Sequence, residues 1–293
     1  MADKRQPLMF SAAGRKASGK TIETIKFIYQ YLQTTNKKKG RKVLIFDVND
    51  EFSSFTFPDP KAGMIKHKIQ RILLKDIPQF SASNVIEVRR IAPFWDNNTT
   101  MSPSEYSDAL EIILKYFRNG LLLCEDTNKY VTEHPTKDLY GRLITGRHIG
   151  VDIFMHFQGV GAALTPRLLR NTAYLRMHKT LDSVYAYQKQ AGEFYEILSI
   201  AENIVSKRYE RGIELKNNDR YFNVMVNLET SKINGDFTKV EAETAVIDFI
   251  STNDYILKRH LKKRDLDGNV IALNENQIYK TVAKGYLTNF FEF

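Results

Sequence analysis

Cysteine is nearly absent from this chain: Cys124 is the only one. A disulfide within the chain is excluded, and a reducing cytoplasm is the expected compartment. Long apolar runs are missing as well. No stretch approaches the ~18–20 residues that cross a bilayer, so no transmembrane helix is expected. A Gly-rich loop begins at Gly14, and no signal peptide is expected in front of it. His67, His134, His148, His156 and His178 show no paired metal-ligand spacing; with a single cysteine a zinc site is not expected. Proline is scarce, at 8 residues, and no Pro/Gly/Ser linker, internal repeat or low-complexity tract divides the chain. The expected organisation is therefore one core, residues 1–236, with a helical C-terminal extension, 237–293, packed on it.

What remains is an ordinary globular composition. Of 293 residues, 43% are hydrophobic and 26% charged, enough to bury a sizeable core. The balance is basic: 43 Lys and Arg against 34 Asp and Glu leave a formal charge of +9, which suits an anionic partner such as nucleic acid.

Short apolar runs alternate with helical patterns. Strands are predicted at Leu8–Ser11, Lys42–Asp47, Asn84–Val88, Gly120–Cys124, Asp152–Phe157, Tyr174–Met177 and Tyr221–Leu228. Several are almost wholly apolar, as strands covered on both faces of a parallel sheet are. A helix is predicted from Thr21 to Leu32. Ser102-Pro103-Ser104-Glu105 reads as a capping box with Pro at the first helical position, opening an apolar stripe from Tyr106 to Phe117. Thr238-Lys239-Val240-Glu241 is a second capping box, ahead of Ala242, Ala245, Val246, Phe249 and Ile250. The alternation predicts an α/β fold with a mostly parallel central sheet flanked by helices.

Gly14-Arg15-Lys16-Ala17-Ser18-Gly19-Lys20-Thr21 satisfies G-x-x-x-x-G-K-[ST] at every fixed position. At average residue frequencies only about one chain in a hundred of this length would show the pattern by accident. Here it also follows a predicted strand and opens a predicted helix. The chemistry explains each position. Glycines let backbone amides wrap phosphate oxygens at a helix N-terminus, where the dipole favours anions. Lys20 reaches the β- and γ-phosphates, and the Thr21 hydroxyl coordinates Mg²⁺. ATP and Mg²⁺ are the expected ligands.

Such a loop needs a carboxylate at a neighbouring strand end for the metal and a group to orient the attacking water. Gly120–Cys124 ends in Glu125 and Asp126. Glu125 is assigned to Mg²⁺ and Asp126 to the water; the more usual order is Asp then Glu, so the roles are open to exchange. A rival acid, Asp47, ends the Lys42–Asp47 run, and its continuation Val48-Asn49-Asp50-Glu51-Phe52 reads as a second active-site loop. Gln158 closes the Asp152–Phe157 strand, a position from which an amide can sense the γ-phosphate and hold water.

Taken together, the loop, the Lys42–Asp47 run, Leu121–Asp126, Gly146-Arg147-His148-Ile149-Gly150-Val151-Asp152 leading to Gln158, and Leu168-Leu169-Arg170-Asn171-Thr172 resemble the FtsK–HerA superfamily of ring-forming DNA translocases, over about residues 5–250. The resemblance implies a RecA/FtsK-like P-loop NTPase fold and an ATP site between subunits of a homo-oligomeric ring, a hexamer. It also implies an arginine finger supplied by a neighbour, with Arg147 the first candidate and Arg167 and Arg170 behind it. With no transmembrane segment and no expected N-terminal β-barrel, the chain resembles the genome-packaging ATPases of viruses. That implies double-stranded DNA as track, a capsid vertex or portal-like complex as partner, and the host cytoplasm or the virion as location.

Two basic runs suit a phosphate backbone. Lys37-Lys38-Lys39-Gly40-Arg41-Lys42 reads first as a solvated surface run. Lys258, Arg259, Lys262, Lys263 and Arg264 are the candidate DNA contacts. Rival classes fit less well. A small-molecule kinase needs an acceptor pocket and lid with no counterpart here. A GTP switch wants Asn-Lys-x-Asp, and Asn128-Lys129-Tyr130-Val131 lacks the Asp. A DNA-translocating ATPase that packages a viral genome is the leading expectation; an assembly or secretion ATPase, or a plasmid or chromosome DNA-transfer ATPase, is the alternative.

Overall fold

Parallel strands covered on both sides are largely apolar, and four strands of this chain are enclosed in that way. β1 (Met9–Ala13), β2 (Lys42–Phe46), β7 (Gly120–Cys124) and β8 (Asp152–Phe157) are buried along their whole length. The computed structural model describes residues 6–36, 38–58, 66–131, 141, 149–161, 166–253, 255–256 and 275–293. Its remaining strands are β3 (Thr56–Pro58), β4 (Lys66–Lys68), β5 (Gln70–Arg71), β6 (Val88–Ile91), β9 (Tyr174–Met177), β10 (Val224–Asn227) and β11 (Lys232–Asn234). The described strands form a nine-stranded sheet in the order β11-β10-β9-β1-β8-β7-β2-β6-β5, with β3 and β4 a separate antiparallel pair. From β5 to β9 every pairing is parallel; β10 and β11 add on antiparallel.

Strand alternation sorts the core into two layers. Phe10, Ala12, Val43, Ile45, Leu121, Leu123 and Phe154 pack with Ile28, Tyr31 and Leu32 of helix α1 (Lys20–Leu32). Met9, Ala13, Leu44, Phe46, Leu122, Cys124, Ile153, Met155 and Phe157 face the other way. There they meet helix α3 (Glu105–Tyr116), which follows the short α2 (Ile77–Ala82) in the chain, and the helices Tyr195–Glu214 and Lys239–Ser251. The helix Glu275–Phe290 packs on Lys239–Ser251, and Val282 and Ala283 share this second layer.

Local departures from the sequence reading have simple causes. The strand expected at Asn84–Val88 lies at Val88–Ile91 instead. Arg89 and Arg90 make that segment look polar, yet Arg90 pairs with Asp47 at 3.4 Å and Arg89 with Glu87 at 2.7 Å. Tyr221 belongs to a turn, Asn218–Tyr221, rather than to β10. α3 begins at Glu105, after a turn holding Pro103, and the Glu105 carboxylate accepts from the Ser102 amide (2.7 Å) and hydroxyl (2.6 Å). At Thr238 the reciprocal capping box forms as expected. The 20-residue helix Tyr195–Glu214 and the edge strands β5 and β11 have no counterpart among the elements that the sequence pattern predicts.

Two cations of the run Lys37–Lys42 are engaged by the fold. Arg41 pairs with the buried Asp152 at 3.2 Å, and the Lys42 ammonium donates to the carbonyls of Phe80 (2.6 Å) and Ser81 (2.9 Å).

Candidate functional site

β1 lies between β8 and β9, and both neighbours hold the start of the loop. The Gly14 amide donates to the Phe157 carbonyl at 3.1 Å and the Arg15 amide to the Lys179 carbonyl at 2.7 Å. A Cβ at Gly14 would lie 2.6 Å from the His178 Cβ and 2.8 Å from the Ser18 Oγ, so only glycine allows this approach. Ala17 and Gly19 take left-handed backbone, with φ of 60° and 86°. No side chain caps α1, so its first-turn amides stay open to an anion. Lys20 folds across the loop, donating to the carbonyls of Gly14 and, at 3.0 Å, Arg15. Burial lowers its pKa, against the opposing pull of Glu125, Asp126 and Glu51. Lys16 is exposed at the crest, while the Arg15 guanidinium donates to the Tyr209 hydroxyl at 3.2 Å.

The acids stand two strands away. β8 is inserted between β1 and β7, so Gln158 lies between the loop and the pair Glu125–Asp126. Gln158 Nε2 donates to Asp126 Oδ1 at 2.9 Å. Beyond Gln158, the Asp182 carboxylate accepts the amides of Val160 (3.1 Å) and Gly161 (2.8 Å) and so fixes the chain that leaves the strand. Asn49, from the loop after β2, bridges the acids: its Nδ2 lies 2.6 Å from Glu125 Oε2 and 3.3 Å from Asp126 Oδ2. Lys129 donates to the Asn49 oxygen and lies 3.5 Å from Asp126. Glu125 is pushed up to about 8, first by burial and then by Glu51, Asp126 and Asp47, with Lys129 opposing.

Asp47 is an organiser of this edge. Fully buried, it accepts the amides of Glu51 (2.9 Å) and Phe52 (3.0 Å) and so forms the turn Glu51–Ser54. Burial raises its pKa to about 6, with Arg90 opposing. The turn brings Glu51 to Thr21, whose hydroxyl donates to Glu51 Oε2 at 3.3 Å. The loop after β2 thus touches Thr21 through Glu51 and Glu125 through Asn49, while Asp47 holds the turn.

Behind the phosphate loop lies a buried basic seam. Arg176 of β9 packs against the rings of Phe154 (5.4 Å) and Phe27 (5.9 Å) and donates to Thr24 Oγ1 at 3.3 Å. Thr24 Oγ1 lies 2.8 Å from His156 Nε2, and the two share a hydrogen bond. His178 Nδ1 donates to the Ser18 carbonyl at 2.9 Å, which makes β9 a second clamp on the loop. Burial, with nearby Arg176 and Lys20, lowers His178 to about 3 and His156 far below the ordinary imidazole range, so both rings are neutral. Burial also lowers Arg176 to about 10.

The donors fit magnesium. Among the described residues no three His, Cys, Asp or Glu side chains form a metal cage. An ion shared with phosphates needs none, only hard oxygens such as the Thr21 hydroxyl and a carboxylate of Glu125 or Glu51. Arg147 and the run Lys258, Arg259, Lys262, Lys263 and Arg264 lie outside the described residues. Arg170 is exposed, 4.0 Å from Glu193. Asn49, Glu51, Thr24, His156, Arg176 and His178 carry no assigned role in the sequence reading. Only the first two had a signal, as members of the loop after an apolar strand.

Strand order and loop geometry define a P-loop NTPase fold. No protein-family model and no curated protein matches the sequence. Among solved structures the chain is similar to the genome packaging NTPase B204 from Sulfolobus turreted icosahedral virus 2. In complex with ATP-gammaS that protein shares 16% identity over 78% of this chain and 96% of its own, with a TM-score of 0.47. In complex with AMP the values are 15%, 79%, 97% and 0.49. The Legionella pneumophila ATPase DotB matches at 11% identity, over 96% of this chain and 61% of its own, with a TM-score of 0.36. These are distant likenesses of fold. Among the described residues no helix is long and apolar enough to cross a membrane.

Proposed function

We propose that this protein is an ATPase that couples hydrolysis to the movement of DNA, with packaging of a viral genome as its setting. One observation carries the hydrolytic half: Gln158 links Asp126 to the edge of the sheet that bears the phosphate loop, through the 2.9 Å contact. In this reading the amides from Gly14 to Thr21 bind the phosphates, and Lys20 leaves its loop carbonyls to meet their charge. Thr21 and Glu125, with Glu51 beside them, hold Mg²⁺. The ion, when bound, neutralises charge that develops on the phosphate oxygens. Asp126, its orientation set by Gln158 and Asn49, directs the attacking water. An arginine from a neighbouring subunit, Arg147 first, completes the site.

The DNA half is supported by the net charge of +9, by the order of the sequence motifs, and by the run Lys258–Arg264. A ring of six identical subunits and attachment at a capsid vertex belong to the same proposal. The test is ATPase rate with and without double-stranded DNA, at low and moderate salt. Stimulation that fades with salt is expected. Lys20→Ala abolishes hydrolysis under both conditions. Replacing Lys258, Arg259, Lys262, Lys263 and Arg264 by Ala lowers DNA affinity and flattens its salt dependence. A rate indifferent to DNA refutes the motor and favours an assembly ATPase.

A further inference from the structure

The sheet edge that carries the phosphate loop has a direction. Glu125 and Asp126 lie on the β7 side, so the γ-phosphate of a triphosphate seated in the loop points that way. The nucleoside end then runs past β1 toward β9 and β10. β10 is antiparallel to β9, with Val224 opposite Met177, so the segment that precedes β10 returns to this same edge.

That segment is the turn Asn218–Tyr221. Tyr221 is 37% exposed and belongs to neither apolar core cluster, yet it stands against the loop. A Cβ at Gly19 would lie 3.3 Å from the Tyr221 Cβ and 3.6 Å from its Cδ1. The Arg220 guanidinium lies 4.6 Å from the centre of the Tyr221 ring. The turn is held in place. Asp219 pairs with Arg208 at 3.2 Å and Arg211 at 2.7 Å, and its amide donates to Asn217 Oδ1 at 2.9 Å. The turn also presses on the helix Tyr195–Glu214 at Gly212, where a Cβ would lie 2.1 Å from the Arg220 nitrogen. An exposed aromatic ring, unused by the core, is thus anchored beside Gly19, the residue that precedes the phosphate-binding helix, on the side away from the acids.

The geometry points to Tyr221, flanked by Arg220, as the platform on which the base of the nucleotide stacks, an inference that rests on the reading of Gly14–Thr21 as a nucleoside triphosphate site. Every base offers a π-face, so the platform binds without strong preference among bases.

The test compares ATP with inorganic tripolyphosphate, which has the phosphates but no base. Affinities of both are measured by calorimetry in Mg²⁺ for wild type, Tyr221→Ala, Tyr221→Leu and Tyr221→Trp. Leu keeps bulk against Gly19 without a ring. Ala and Leu are expected to weaken ATP about tenfold and leave tripolyphosphate unchanged, while Trp retains ATP affinity. GTP weakens alongside ATP. The proposal is overturned if Leu binds ATP as wild type does, or if ATP and tripolyphosphate weaken in parallel, since Tyr221 then only braces the loop. Wild type that binds neither compound overturns the nucleotide reading itself, and the platform with it.

Discussion

Gln158 and Asp126 meet across the boundary between β8 and β7, the amide donating to the carboxylate at 2.9 Å. Asp126 sits at φ 46°, a left-handed conformation uncommon for a residue with a side chain. It also lies near Asn49 and Lys129. Its carboxylate is therefore oriented before any ligand arrives.

Removing that orientation should slow the chemical step more than binding. Gln158→Ala is expected to reduce kcat about 10- to 100-fold with little change in KM. Steady-state ATPase kinetics check this, and an unchanged kcat removes Gln158 from the site.

Glu125 gives the fold a pH dependence. Its folded pKa is about 8, against an ordinary value of 4.5. Below the ordinary value the group is protonated in both states. As pH rises from there to about 8 the unfolded chain releases the proton and the folded chain keeps it, so stability falls across that window. Glu125→Gln removes the loss. The variant should exceed wild type in stability by a few kcal/mol at pH 8 and by much less at pH 5, measured by urea unfolding, while its hydrolysis is lost. A gain that does not vary with pH refutes the burial of this charge.

His178 works on the acid side with the opposite sign. Its folded pKa is about 3, against 6.5 ordinarily. The unfolded chain takes up a proton as pH falls below 6.5, and the folded chain does not. The stability present above 6.5 is therefore lost toward 3. About 2 kcal/mol should be gone at pH 5 through this residue. His178→Asn, whose amide can still donate to the Ser18 carbonyl, should show a shallower fall between pH 7 and pH 5; an equal slope would contradict a neutral, buried His178.

Asp47 tests the loop after β2. Asp47→Ala leaves the buried amide of Phe52 and the amide of Glu51 without their acceptor and deprives Arg90 of a partner. Two lost acceptors should cost about 2–4 kcal/mol. Asp47→Asn, which keeps one acceptor oxygen, should cost less. Urea midpoints of both variants measure the difference.

The parts of the site legible in sequence are those whose signal is contiguous. The glycines and Lys20 of the loop, the acids after Leu121–Cys124, and Gln158 after Phe157 all sit at the ends of apolar runs. Such a run declares both the strand and its edge. β6 escaped because two arginines interrupt it, and Asp47, the partner of Arg90, becomes visible only when β6 lies beside β2. The clamp on the loop escaped for a similar reason. Thr24 and His156 are 132 residues apart, and His178 and Ser18 are 160 apart. No local periodicity reports such pairs.

By itself, then, the sequence determined the chemistry on offer and the alternation of strands and helices, because backbone conformation and burial follow from residues close along the chain. Only the tertiary structure decided which residues share an edge. Inserting β8 between β1 and β7 makes Gln158 the neighbour of Asp126, and reversing β10 sets Tyr221 against Gly19. Strand order is a matter of long-range pairing, and pairing depends on how whole faces fit together rather than on any one segment.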